Sequence, residues 1–218
     1  MKRSFVLFLV FCSIITIFLS SQAATPNVII IMADDQGYQD LGCFGSPKIK
    51  TPHIDRMAKE GMRFTDFYSG APVCTPSRAS LLTGCYAKRV GGLGVLFPRD
   101  KRGLNPDEIT IADLLKTKGY ATACIGKWHL GEGKAHEPSG FDFWSVLPGQ
   151  GDYFDPLFIE MGESLTEEGY ITDIITDKSL DWLSKADKQK PFLLMCHHKA
   201  PHREWESHPK IRSLFMDD

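Results

Sequence analysis

Beyond its first 23 residues, this 218-residue sequence has no apolar run long enough to cross a bilayer, so no membrane-spanning helix is expected there. Positive charge is not in excess either, because 25 Lys and Arg stand against 27 Asp and Glu, for a formal net charge of −2. A nucleic-acid partner is therefore not expected, and an anionic ligand would need a local cluster of cations. The sequence also has no internal repeat or low-complexity segment. Its hydrophobic content of 43% is that of an ordinary globular domain.

The first 23 residues have a different composition from the rest. Positive charge at Lys2 and Arg3 precedes an apolar run over 5–19, and small and polar residues follow it. This order is typical of a secretory signal peptide, since the apolar run is short for a membrane span. We expect residues 1–23 to be cleaved. Residues 24–218 are then expected to be secreted or periplasmic, with no membrane partner.

Apolar runs and amphipathic segments alternate along the remaining chain. The sequence predicts strands at 27–32, 63–68, 120–125 and 192–196, and helices at 52–60, 76–83, 109–118 and 170–186. The strand at 27–32 is a continuous apolar run and is expected to be buried. Thr51 is suited to cap the first of these helices and Gly61 to end it. This alternation predicts an α/β fold, with a mostly parallel sheet between helices on both faces.

Unusual polar residues follow three of the predicted strands, at the point where each strand ends. Asp34 and Asp35 follow the first, Lys127 and His129 follow another, and the segment 197–202 follows the last. Ligands of open α/β sheets bind beyond the carboxyl ends of the strands, so we expect a site at this edge. Adjacent carboxylates repel each other unless a cation lies between them, and their oxygens suit Ca²⁺ or Mg²⁺. The alternative is that one aspartate caps a turn and the other is solvated.

A predicted helix start carries a cysteine. Thr75 is suited to the N-cap, Pro76 to the first helical position and Gly84 to the end of the helix. Cys74 is therefore expected just before a helix N-terminus, where free N–H groups and the helix dipole favour an anion. Arg78 adds a cation with a planar set of donors in the same turn. Taken alone, the pattern also fits a free thiol beside a capped helix.

The whole run Cys-Thr-Pro-Ser-Arg-Ala-Ser-Leu-Leu-Thr-Gly (74–84) resembles the signature of the type I, formylglycine-dependent sulfatases of the alkaline-phosphatase-like superfamily. Gly-Lys-Trp-His-Leu-Gly (126–131) resembles the second signature of that family. The segment 27–37 resembles its first metal motif, and Ala-Pro-His (200–202) resembles a segment with a substrate-contacting histidine. The resemblance covers the N-terminal half of such a domain. We therefore expect 24–218 to be an incomplete catalytic domain that ends before the C-terminal subdomain.

The resemblance implies a chemical role for the cysteine and its neighbours. Cys74 would be oxidised to formylglycine by a formylglycine-generating or anaerobic sulfatase-maturating enzyme, and one hydroxyl of the hydrated aldehyde would attack the sulfur atom. Asp34, Asp35 and the modified Cys74 would bind Ca²⁺, with Mg²⁺ the less favoured ion. Together with Arg78, that cation would favour the alkoxide form of the nucleophile.

The remaining implied roles concern sulfate binding and proton transfer. Lys127 would bind the sulfate, His202 would protonate the leaving alcohol, and His129 would be the base that later releases sulfate. The segments 149–153 and 197–205 look most like those of bacterial sulfatases that act on sulfated hexosamines or glycosaminoglycans, with aryl sulfates as surrogate substrates. Two alternatives are a phosphate or phosphonate monoester hydrolase of the same superfamily and an inactive glycan-binding fragment.

Overall fold

The computed structural model describes residues 25–215, except Leu93 and Arg99. Six strands in this part of the chain form one mixed sheet in the order β1-β6-β2-β3-β4-β5. The strands are β1 (Val28–Met32), β2 (Ala121–Lys127), β3 (Phe143–Leu147), β4 (Leu157–Glu160), β5 (Glu163–Thr166) and β6 (Phe192–His197). The first four strands of that order are parallel, whereas β4 and β5 form an antiparallel hairpin at one side. The predicted mostly parallel sheet is therefore confirmed.

Helices join these strands and cover both faces of the sheet. They are α1 (Pro52–Glu60), α2 (Cys74–Thr83), α3 (Ile111–Lys116), α4 (Ile171–Lys185) and α5 (Pro209–Arg212). Thr51 is the N-cap of α1 and Gly61 follows its last residue, as predicted. α3 begins later than predicted because a capping box sets its start: the Thr110 hydroxyl accepts a hydrogen bond from the Asp113 N–H (3.2 Å), and the Asp113 carboxylate accepts one from the Thr110 N–H (2.9 Å).

The central strands bury side chains on both faces. On β6, Leu193 and Met195 belong to the core that includes residues of α2 and α3, whereas Leu194 and Cys196 belong to the core that includes residues of α4. Burying one such large apolar side chain contributes about 1.5–3 kcal/mol. Burial on two faces explains why β2 and β6 are continuous apolar runs rather than alternating patterns.

Two predictions about strands are wrong, one about the burial of β1 and one about a strand at 63–68. β1 was expected to be a buried strand, yet Ile29 and Ile31 are 49% and 63% exposed, because β1 lies at the edge of the described sheet with one face open. Residues 63–68 form no strand, although their aromatic and polar residues are mixed as in many strands. Phe64 and Tyr68 are exposed there, since no neighbouring strand pairs with this segment.

The predicted signal peptide at residues 1–23 lies outside the described residues. Within the range that the structure describes, none of the helices is both long and apolar enough to span a bilayer.

Candidate active site

Cys74 is the first residue of α2, and Val73 rather than Thr75 is its N-cap. This corrects the expectation that Cys74 precedes the helix and that Thr75 caps it. The Thr75 hydroxyl instead accepts a hydrogen bond from the Leu96 N–H at 3.3 Å, which ties the helix start to a neighbouring loop. Cys74 is half-buried at the N-terminal end of this ten-residue helix, where unpaired N–H groups and the helix dipole favour negative charge.

An open cavity beyond the carboxyl end of β1 brings four of the predicted site residues together. Its lining includes Asp34, Asp35, Cys74 and Arg78. The Asp34 N–H donates a hydrogen bond to the Ala200 carbonyl at 3.1 Å, which holds the end of β1 against the turn that follows β6. Predicted residues from two distant parts of the sequence therefore line one cavity, because the end of β1 and the start of α2 meet there.

Asp34 is the carboxylate that two buried cations share. It is 4% exposed, its Oδ1 lies 3.6 Å from Arg78 Nη2, and its Oδ2 accepts a hydrogen bond from Lys127 Nζ. Burial alone would raise the pKa of Asp34, but the charges of Arg78 and Lys127 outweigh it and hold this pKa below its ordinary value. Arg78 and Lys127 are themselves 1% and 0% exposed. The enclosure thus holds more buried positive than negative charge, which suits an anionic ligand.

A second set of contacts fixes the Arg78 guanidinium from behind. Its Nη1 donates to the Lys127 carbonyl at 2.5 Å and lies 3.3 Å from His197 Nδ1. Burial lowers the pKa of His197 to about 3, so its imidazole is neutral at pH 7. Its Nδ1 lies 3.2 Å from the Lys127 carbonyl, which can only accept, so Nδ1 carries the proton and Arg78 contacts the ring without donating to it. The Nε and Nη2 of Arg78 are enclosed without a hydrogen-bond partner. Nη2 faces the Asp34 carboxylate in the ion pair, so Nε is the donor of this fixed guanidinium that is left without an acidic partner among the described residues.

Gly126 allows β2 and β6 to approach each other beside this arginine. Its φ is +104°, and a Cβ added there would lie 2.0 Å from the His197 carbonyl oxygen. No side chain fits that distance, and the positive φ disfavours other residues as well. Lys127 follows directly, so the close approach of the two strands sets the position of its side chain.

His129 is a buried, neutral imidazole with one unpaired nitrogen. Its Nε2 lies 3.0 Å from the Leu96 carbonyl, which can only accept, so Nε2 carries the proton and Nδ1 is an acceptor. Nδ1 is enclosed and has no partner. Burial, together with the charge of Lys127, lowers the pKa of His129 to about 4. His129 lines a cavity with Leu96 and Gln150, and it is not in the wall of the cavity that holds Cys74.

His202 lies next to Asp35, the second aspartate after β1. Its Nε2 is 3.6 Å from Asp35 Oδ2, and its Nδ1 donates to the Arg203 carbonyl. The Tyr153 hydroxyl donates to the backbone carbonyl of His202 and so anchors this turn. Asp35 is exposed and has a φ of +63°, which directs the chain away from β1.

Gln150 was missed by sequence reasoning. Its Oε1 accepts a hydrogen bond from Lys127 Nζ, so Lys127 is held by both Gln150 and Asp34. The surrounding Gly-Gln-Gly-Asp-Tyr segment had been singled out only for its likeness to sulfatase substrate segments. No sequence signal pairs it with Lys127, because the contact depends on the loop after β3 folding back over β2.

The donor set at the end of β1 suits a hard divalent cation but is incomplete. Asp34 and Asp35 offer carboxylate oxygens, and Gln36 lines the same cavity. Calcium takes six to eight oxygen ligands, so these residues would need further oxygen donors. No cluster of three or more His, Cys, Asp or Glu side chains is arranged to hold a metal in the part of the chain described by the structure.

Comparison with known proteins identifies the family. The model of the sulfatase family matches residues 26–213. An N-acetylglucosamine-6-O-sulfatase of Bacteroides thetaiotaomicron is 46% identical over 193 residues, which cover 87% of this chain and 33% of that protein. Human arylsulfatase A is 52% identical over 112 residues, which cover 51% of this chain and 22% of that protein. The chain thus spans about a third or less of the length of these curated relatives.

Solved structures give the same result for the fold. A protein in complex with its substrate D-glucosamine-2-N,6-O-disulfate is 45% identical, with a TM-score of 0.80, over 88% of this chain and 38% of that chain. A complex with k-i-k-neocarrahexaose is 33% identical, with a TM-score of 0.84, over 88% of this chain and 49% of that chain. The similarity therefore extends through both the sheet and the helices that carry the site. The chain belongs to the sulfatase family.

Proposed function

We propose that the protein to which this chain belongs is a sulfuric ester hydrolase that removes sulfate from a sulfated carbohydrate. The observation that carries the proposal is the enclosure in which Arg78 and Lys127 share Asp34 beside Cys74 at the start of α2. Family membership supports the reaction class.

In this proposal the chain's own residues bind the sulfate and move protons. The guanidinium of Arg78 and the ammonium of Lys127 hold the sulfate oxygens and stabilise negative charge that develops during transfer. His202 donates a proton to the leaving alcohol from Nε2, which faces the site. His129 accepts a proton at its unpaired Nδ1, since its lowered pKa leaves it neutral at pH 7.

Two groups complete the proposed chemistry. Cys74, once oxidised to formylglycine by a formylglycine-generating or anaerobic sulfatase-maturating enzyme, supplies a hydrated aldehyde with one hydroxyl to attack sulfur and a second to allow release of sulfate. Asp34 and Asp35 would hold a divalent cation, Ca²⁺ in preference to Mg²⁺, which supplies positive charge beside that nucleophile.

The substrate class follows from the relatives. We propose a sulfated hexosamine or glycosaminoglycan, because two similar proteins are named for 6-O-sulfated amino sugars and a similar structure contains a disulfated glucosamine. A secreted or periplasmic location, reached through a signal peptide at residues 1–23, accords with such an extracellular polymer.

The test is release of inorganic sulfate by protein that has been co-expressed with a maturating enzyme. N-acetylglucosamine 6-sulfate and an aryl sulfate serve as substrates, and Cys74→Ala should abolish release. Cys43→Ala, at a half-buried cysteine that does not line the cavity with Cys74, is the matched control and should retain the parent rate. Sulfate release by Cys74→Ala at the parent rate would contradict the proposal.

Two further measurements separate the alternatives. Faster turnover of the matched phosphate ester than of the sulfate ester would indicate a phosphate monoester hydrolase instead. Mass spectrometry of the peptide with residue 74 should find the lighter aldehyde form, and a purely thiol peptide in protein from a maturating host would rule out the formylglycine mechanism.

A further inference from the structure

Lys199 is a buried lysine without a carboxylate partner. The residue is 4% exposed, and among the described residues its ammonium forms no ion pair within 4 Å, so the carboxylates of Asp34, Asp152 and Glu204 act on it only from longer range. Lys178, by contrast, forms ion pairs with both Glu160 and Glu167. Buried ammonium groups are normally paired, because an uncompensated charge in the interior is costly. A ligand that compensates this charge is therefore expected.

The ammonium of Lys199 rests on a rigid aromatic side chain. Its Nζ lies 4.7 Å from the centroid of the Tyr153 ring. That ring stacks on Tyr170 with a centroid distance of 6.0 Å, and its hydroxyl donates to the His202 carbonyl. The face of the Tyr153 ring stabilises the Lys199 ammonium from one side of that ammonium only. The ammonium is also not fully enclosed by protein, unlike the free Nε of Arg78, so its other side is accessible to a ligand.

The backbone of Lys199 lies in the turn that packs against the candidate active site. The His202 N–H donates to the Lys199 carbonyl at 3.0 Å, and the neighbouring Ala200 carbonyl accepts from Asp34. Burial lowers the pKa of Lys199, the charge of Lys127 lowers it further, and the charges of Asp34, Asp152 and Glu204 oppose that effect.

We propose that Lys199 binds an anionic group of the substrate, in addition to Arg78 and Lys127, and so contributes to substrate specificity. The proposal rests on the proposed function for the identity of that anion, which is either the sulfate to be removed or a second sulfate or carboxylate on the same sugar. Asp34 is already shared by two cations, so it does not neutralise Lys199 as well.

The test measures binding rather than turnover, by calorimetry at pH 7 and constant ionic strength. The ligands are inorganic sulfate, N-acetylglucosamine 6-sulfate and glucosamine 2-N,6-O-disulfate. The variants are Lys199→Met, the charge-conserving Lys199→Arg, and Lys188→Met at an exposed lysine as the matched control. Thermal unfolding of each variant accompanies the titrations.

We expect Lys199→Met to weaken binding by about tenfold to a hundredfold, as for the loss of a charge-assisted hydrogen bond, and Lys199→Arg to restore most of it. Lys188→Met should change binding by less than about twofold. Weaker binding of all three ligands assigns Lys199 to the scissile sulfate. A loss confined to the disulfated sugar assigns it to a second anionic group.

The midpoint of thermal unfolding should stay the same or rise in Lys199→Met, because the variant removes an unpaired buried charge. Binding unchanged by Lys199→Met, no binding by the parent protein, or lost binding together with a lower midpoint would each overturn the inference. Sulfate release separates it from the proposed function: binding that depends on Lys199 without any hydrolysis refutes the function alone.

Discussion

Replacing Asp34 by asparagine should be among the most destabilising single substitutions in the site. The change removes the carboxylate that Arg78 and Lys127 share and leaves two cations, 1% and 0% exposed, without a counter-charge. Breaking a buried ion pair from one side costs about 3–5 kcal/mol. Since a whole domain is stable by about 5–15 kcal/mol, this loss should be plain in urea unfolding followed by circular dichroism at pH 7.

The control for this substitution is the adjacent aspartate. The side chain of Asp35 is 57% exposed, so Asp35→Asn should change the free energy of unfolding by no more than about 0.5 kcal/mol. The double variant Asp34→Asn with Lys127→Met removes one of the two unpaired cations. It should therefore be more stable than Asp34→Asn alone by about 1–2 kcal/mol.

The pH dependence supplies a further check on Asp34. Its pKa in the folded state is below the ordinary value of 3.8, so its contribution to stability is present above that value and is lost as the pH falls through the folded-state pKa. The difference in the free energy of unfolding between the parent protein and Asp34→Asn should accordingly persist from neutral pH down to about pH 4 and shrink below it. If Asp34→Asn lowers the free energy of unfolding by less than about 1 kcal/mol at pH 7, or if Asp35→Asn lowers it equally, the reasoning is refuted.

Three further predictions concern neighbouring contacts. The folded-state pKa of His197, about 3, lies below its ordinary value of 6.5, so its stabilising effect is complete above pH 6.5 and declines by about 2 kcal/mol between pH 6.5 and 5. His197→Gln should flatten the urea-midpoint profile in this range, and the exposed control His53→Gln should not. Gln150→Leu removes an acceptor from the buried Lys127 ammonium and should lower sulfate release about tenfold or more without loss of circular dichroism; an unchanged rate would show that Asp34 alone positions Lys127. Thr110→Ala removes the cap of α3 and should cost about 1 kcal/mol in thermal unfolding, and no cost would mean that the capping box is dispensable.

The central strands could be predicted from the sequence because burial on two faces produces continuous apolar runs. β2 and β6 appear where such runs were found, each extended by a residue or two at its end. The hairpin of β4 and β5 could not be predicted in the same way. All four side chains of β5 are exposed, so the strand has no alternation of buried and exposed residues to reveal it. The aromatic residues at 63–68 mislead for the opposite reason, since they are apolar without being buried.

Local motifs identified the residues of the site, but not the contacts between them. Arg78 meets His197 across 119 residues of sequence, and Lys127 meets Gln150 across 23. The first contact depends on β6 lying beside β2, and the second depends on the loop after β3 folding back over β2; local periodicity contains neither arrangement. The start of α2 was misplaced because Pro76 and Thr75 suit a helix start, whereas the hydroxyl of Thr75 is used by Leu96.

The glycine between Ile125 and Lys127 has a consequence for how genetic variants of this chain should be interpreted. A single methyl group at position 126 would push the His197 carbonyl away and shift the imidazole that supports the Arg78 guanidinium. Such a variant would contact no ligand and change no charge, yet it would displace β6 at His197 and with it a contact of the Arg78 guanidinium. Natural variation at Gly126 is therefore a more sensitive sign of lost activity than variation at many exposed positions that line the cavity.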